Sequence, residues 1–96
     1  MTSIQVNWVI SPGVVVMTLG ARDAFAATGE AIEAFLNRHL RGDWGDVDQD
    51  DRQANTAASL HNERLLSVYH LADQTTIWII TEADRSSTTI LLPSEY

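Results

Sequence analysis

Five carboxylates fall within nine residues, at Asp43, Asp46, Asp48, Asp50 and Asp51, with Trp44 among them. At that density they can bind a hard cation, charge the start of a helix, or dock on a basic surface. The cation reading rests on Asp46-x-Asp48-x-Asp50, which imitates the opening of an EF-hand loop. Such a loop needs Gly at its sixth position and Glu at its twelfth, where this chain has Asp51 and Ala57. Those departures favour the other two readings: Asp48 capping a helix with a solvated acidic first turn, and a partner-binding patch. Trp44, flanked by Gly42-Asp43 and Gly45-Asp46, either anchors a partner or folds back over the preceding helix end.

Elsewhere the chemistry is sparse. His39, His61 and His70 fall on three separate elements with no His-x-x-x-His or His-Glu pairing, so no metal centre is expected. Ser86, Ser87, Thr88 and Thr89 follow Asp84 and Arg85 without a Gly-x-Ser-x-Gly elbow. They read as a hairpin turn with its threonines on an exposed strand face. No cysteine is present, which excludes disulfides and thiolate zinc sites. All six basic residues are arginine, so side-chain Schiff-base chemistry is excluded as well. No glycine-rich phosphate loop occurs, and no cofactor is expected.

The 96 residues carry 13 acids against six arginines, a net charge of −7. Outside Asp43–Asp51, eight acids face those six arginines, so most of the excess is local. An acidic chain is repelled by phosphate, so direct nucleic-acid binding is not expected. The longest apolar runs are four or five residues, far below a bilayer span, and no basic-then-apolar leader opens the chain. A cytoplasmic protein without membrane contact is the expectation. A hydrophobic share of 45% suits one domain over residues 1–96.

The elements that must hold these groups follow from periodicity. Ile4, Val6, Trp8 and Ile10 alternate as a strand, Ser11-Pro12-Gly13 turns the chain, and Val14 to Leu19 reads as a more deeply buried strand. The two either form a hairpin or leave the first as a loose arm. A helix follows from Gly20 to a stop at Gly29. Ile32, Phe35, Leu36, His39 and Leu40 share one face of a second helix, with Glu30 and Glu33 in its first turn, Arg38 and Arg41 in its last, and Gly42 stopping it. His39 on that face reads as a satisfied core or boundary histidine. A third helix runs from about Gln49 to Asn62. Leu65–Leu71, Thr75–Thr81 and Thr88–Leu92 form a meander with turns at Asp73-Gln74 and Asp84-Arg85-Ser86. The class is α+β: an antiparallel sheet, built from an N-terminal strand or hairpin plus the three-strand meander, packed on two or three helices.

Several stretches carry a resemblance: Arg38-His39-x-Arg41-Gly42-Asp43-Trp44-Gly45-Asp46, Asp51-Arg52-x-x-Asn55, Arg64-Leu65-Leu66-Ser67-x-Tyr69, and Ile77-Trp78-Ile79-Ile80-Thr81-Glu82-Ala83-Asp84-Arg85-Ser86-x-Thr88-Thr89-Ile90-Leu91-Leu92-Pro93-x-Glu95-Tyr96. Over its last two thirds the chain resembles small plasmid-related proteins of bacterial plasmids, integrative elements and phages. The tetrad Ala72-Asp73-Gln74-Thr75 departs from the Pro-Asp-Gly-Thr of that family. The resemblance implies a mobile-element setting and supplies no catalytic residues.

Three functions follow as expectations. The first is a non-enzymatic inhibitor of a host defence complex, anti-CRISPR or anti-restriction. It would dock Asp43, Trp44, Asp46, Asp48, Asp50, Asp51, Glu82 and Asp84 on a surface that otherwise faces nucleic acid. The second is a small hydrolase-like enzyme with a polar site between helices and sheet, drawing on His61, Glu82, Asp84 and Arg85. The third is a structural or regulatory homo-oligomer using Trp44 or an exposed sheet edge, with a homodimer as the side expectation because sheet edges need cover.

Overall fold

The alternation that begins at Leu65 forms a strand and sets the layer order. A computed structural model describes residues 10–61 and 63–96, apart from the side chains of 57–61. The elements are β1 (Val14–Met17), α1 (Leu19–Thr28), α2 (Ile32–Leu40), α3 (Gln49–His61), β2 (Leu65–His70), β3 (Thr76–Thr81) and β4 (Ser87–Leu91), followed by a 3-10 turn at Pro93–Glu95. The sheet order is β1-β4-β3-β2, with β2, β3 and β4 an antiparallel meander and β1 parallel to β4. This is the α+β class expected, with the sheet mixed where β1 joins it and antiparallel through the meander. The chain has no helix among the described residues that is long and apolar enough to cross a membrane.

One face of the sheet takes the helices. Tyr69, Ile77, Ile79 and Ile90 project against Ala21 and Phe25 of α1, with Ile32, Phe35 and Leu36 of α2 closing the layer. A second cluster joins Ile10, Leu40, Trp44 and Leu65. The meander turns adopt the left-handed backbone at Gln74 (φ 74°) and Arg85 (φ 60°), where the sequence placed them. On the opposite face Trp78 meets Tyr96 edge-on, ring centroids 5.6 Å apart. The Glu95 carboxylate bonds Thr18 Oγ1, Gly20 N and Leu92 N, so the C-terminal turn clamps the start of α1. That partnership holds its carboxyl below the usual range, the Thr18 hydroxyl contributing most.

Two expectations for the N-terminal part change. Val14–Leu19 is not a deeply buried strand: β1 ends at Met17, and Thr18 caps α1 by accepting from Ala21 N. Val14, Val15 and Val16 are 65%, 42% and 45% exposed because β1 is the outermost strand of the sheet among the described residues. Nor does Ser11-Pro12-Gly13 fold the chain back along β1. Ile10 is buried beside Leu40 and Leu65 and donates to Leu40 O, so the chain reaches β1 from the β2 side of the sheet. The first strand expected, Ile4 onward, lies outside the described residues up to position 9.

The other edge of the sheet is sealed. Asn55 of α3 donates its amide to Leu66 O (2.6 Å) and accepts from Leu66 N (3.2 Å), standing in for a neighbouring strand. Asn55→Ala strips both partners from Leu66 and is expected to cost about 1–3 kcal/mol in urea unfolding. It should also speed exchange of the Leu66 amide; an unchanged rate would mean that α3 does not guard this edge.

Candidate functional site

The acidic stretch is a loop laid along the outer edge of β2 and fixed to it. α2 ends at Leu40, and Gly42, with a φ of 85°, turns the chain. Arg38 grips Asp43 through Nε (2.7 Å) and Nη2 (3.3 Å) and lies 4.6 Å over the Tyr69 ring. The Arg38 hydrogen bond is the main reason the Asp43 carboxyl stays below the usual range; the same bond raises the guanidinium. Tyr69 donates its hydroxyl to Asp43 O at 2.5 Å. Burial pushes that phenol up to about 12, which keeps it a donor.

Trp44 follows, 3% exposed, its ring in the cluster with Ile10, Leu40 and Leu65. Of its two expected roles it takes the inward one. Apolar area behind α2 draws the indole in, while Nε1 reaches Thr56 Oγ1 at 3.5 Å. It roots the loop and offers no contact surface. Val68 N donates to Trp44 O and Asp46 N to Val68 O, a short parallel bridge centred on Gly45. Gly45 holds φ 74°, and a Cβ there would stand 2.1 Å from Val68 O, so only glycine brings the loop this close. Arg52 Nη2 donates to Gly45 O at 2.8 Å, and Asp46 Oδ2 lies 2.6 Å from His70 Nδ1. Asp48 caps α3 by accepting from Asp51 N at 2.8 Å, as the sequence implied. Asp50 and Asp51 complete an exposed first turn.

All five aspartates are exposed, on a backbone tied to β2. Glu82 and Asp84 are not part of this group. They follow Thr81, which pairs with Leu65 at the other end of β2, whereas the loop bridges Val68. There Glu82 lies 3.7 Å from Arg64 Nε, Asp84 Oδ1 accepts from Ser86 N, and Arg85 bonds the Glu63 and Glu82 carbonyls. These residues organise a turn and do not lie between helices and sheet. The side chain of His61, the fourth group of the hydrolase reading, lies outside the described residues. Among the described residues, no group of three or more His, Asp or Glu side chains converges to hold a metal ion.

The polar site that does lie between helices and sheet is one sequence reading missed. His39 Nδ1 is 2.6 Å from Ser67 Oγ and its Nε2 2.8 Å from Thr81 Oγ1. Thr81 Oγ1 is 2.7 Å from Thr88 Oγ1, and Thr88 donates to Pro12 O at 2.8 Å. The Pro12 carbonyl can only accept, and that fixes every proton. Thr88 donates to it, Thr81 to Thr88, His39 Nε2–H to Thr81, and Ser67 to His39 Nδ1. A serine hydroxyl on a neutral imidazole is the geometry of an activated nucleophile. Here both residues are 0% exposed, and Thr81 occupies the place of an orienting carboxylate. Burial, with Arg85 adding to it, lowers His39 to about 4, which makes it a poor base. The chain of hydroxyls is an interior brace. Thr88, expected on an exposed face, is part of it because β4 turns Thr88 and Ile90 toward the helices. The available signal was inward-facing polar residues on three strands opposite a histidine on the apolar face of α2.

A cavity of about 300 Å³ opens between α3 and the outer sheet face, lined by Asn55, Arg64, Leu65, Leu66, Trp78, Ile80 and Tyr96. Its polar groups are already engaged: Asn55 with Leu66, and Arg64 with Tyr96 Oη at 2.5 Å. Neither a family model, nor a curated protein, nor a solved structure matches the chain.

Proposed function

We propose that the chain is a non-enzymatic interaction module whose acidic loop docks on an Arg/Lys-rich protein surface. The setting the resemblance implies, a bacterial mobile element, makes a nucleic-acid-binding defence complex the partner class, with inhibition as the outcome. One observation carries the reading. Asp43, Asp46, Asp48, Asp50 and Asp51 stay exposed on a loop held to β2 by Trp44, Gly45 and Asp46, so little conformational entropy is lost when a partner binds. Glu82 and Asp84, at the far end of β2, form a separate and weaker acidic point.

The test adds purified protein to DNA-cleavage reactions run by CRISPR and restriction complexes. The natural chain is expected to slow cleavage in a salt-sensitive way. Asp48→Asn, Asp50→Asn and Asp51→Asn together keep a capping residue at 48 and remove three charges. That variant is expected to associate on the order of tenfold more slowly. Unchanged cleavage across the panel, or equal inhibition by the variant, would refute the docking role.

A further inference from the structure

We infer that the edge of β1, open among the described residues, is a homodimer interface, two copies pairing antiparallel through Val15 and Met17 into one continuous eight-stranded sheet. The backbone sets the requirement. Val14 N donates to Ser86 O and Thr18 N to Ile90 O, so β1 turns alternate residues toward β4. By the alternation of a strand, the N–H and C=O groups of Val15 and Met17 then face away from the sheet. An array of donors and acceptors in extended register is completed by another strand.

The side chains select which strand. The exposed large hydrophobics among the described residues are Val14, Val15, Val16, Leu19 and Tyr96, and four of these five lie within Val14–Leu19. No charge occurs from Ser11 to Ala21, and β1 carries no proline, lysine or inward charge of the kind that blunts sheet edges. The opposite edge, by contrast, is closed by Asn55 and the Trp44–Asp46 loop.

Charge then favours a second copy. Each chain carries −7, and its densest acids lie along β2, three strands from β1. Pairing β1 with β1 brings the uncharged edges together and sends both acidic loops to the far ends of the joint sheet. With the two-fold axis between the two Val16 residues, Val15 of each copy faces Met17 of the other and their outward groups are exchanged. Val14, Val16 and Leu19 gain apolar cover.

Sedimentation equilibrium of the full chain is the test, read with amide exchange at Val15 and Met17. The expected result is twice the chain mass, with both amides protected in proportion to dimer. Val15→Pro removes an outward N–H and no internal bond, and Val16→Lys places two like charges opposite each other at the axis. Both are expected to sediment as folded monomers with those amides exchanging freely. If Val15→Pro fails to fold, Val16→Lys decides alone, its exposed side chain being removed at no cost to the core. Monomeric mass up to about 1 mM would overturn the inference, including the case in which the amides are protected by the chain's own residues. So would a Val16→Lys variant that stays folded and dimeric.

Discussion

Trp44→Ala is expected to lower unfolding stability by about 3–5 kcal/mol, the range for deleting a buried large aromatic side chain. A domain of this size is stable by only about 5–15 kcal/mol in total, so the variant approaches the unfolding threshold. The cost has two sources. The indole fills the space between Leu40, Leu65 and Ile10, and the backbone around it cannot collapse freely, because Asp46 N and Trp44 O are committed to Val68. Trp44→Phe keeps most of the apolar area and forfeits the reach to Thr56, so a loss of about 1–2 kcal/mol is expected. Urea unfolding measures both. Exchange at the Val68 amide shows whether the loop has lifted from β2. A loss below about 1 kcal/mol for Trp44→Ala would mean that the loop holds its position without its aromatic root.

That residue also shows where sequence reading stopped. Local periodicity is a property of one element, and it placed α2, α3 and the meander strands to within a residue or two. Ile32, Phe35 and Leu36 on α2 and Tyr69, Ile77 and Ile79 on β2 and β3 do meet in one core. What periodicity cannot carry is the choice of neighbour. Nothing in Val14-Val15-Val16 states that the strand will stand beside β4, in parallel and outermost; the same three valines suit a buried centre or an open edge. Trp44 faced two comparable choices, decided by the apolar gap that Ile10, Leu40 and Leu65 leave between three distant parts of the chain. The interior hydroxyls were hidden for a further reason. Ser67, Thr81 and Thr88 are polar by type, and only their joint arrival at His39 makes burial affordable.

Residues from distant parts of the chain share a physical task. Arg38, Asp43, Trp44, Gly45 and Tyr69 pin the acidic loop to β2. Asn55 closes the same edge, and Glu95 clamps the end of the chain onto α1. Asp48, Asp50 and Asp51, which carry the charge, are held in place by these pins and have little internal work of their own beyond the cap at Asp48. A loop built this way can change its surface charge without loss of position.

His39 makes the fold sensitive to mild acid, and the sign follows from its burial. In the unfolded chain the imidazole takes a proton near its ordinary 6.5; in the folded protein it does so only near about 4, because the charged form would be dehydrated and would face Arg85. Between those values the unfolded state binds a proton that the folded state refuses, so stability falls as the pH falls. The loss is expected to reach about 2 kcal/mol between pH 7.5 and pH 5, and about 3 kcal/mol once the pH is below 4. Asp43, Asp73, Asp84 and Glu95 are all held below their ordinary ranges. Their contributions are therefore lost at lower pH and leave the upper window to the histidine. His39→Gln removes the titrating ring and retains a hydrogen-bonding side chain, while His70 is the same in both proteins. Its stability at pH 7.5 is expected to drop by about 1–3 kcal/mol, because Ser67 and Thr81 are imperfectly served. From there to pH 5 its curve should be flatter than that of the natural chain by about 2 kcal/mol. Parallel curves for the two proteins in urea unfolding at matched pH would show that the buried imidazole already accepts its proton in the folded state. Ser67 would then have to turn its hydroxyl away from Nδ1, and the directed chain of bonds ending at Pro12 O would not hold.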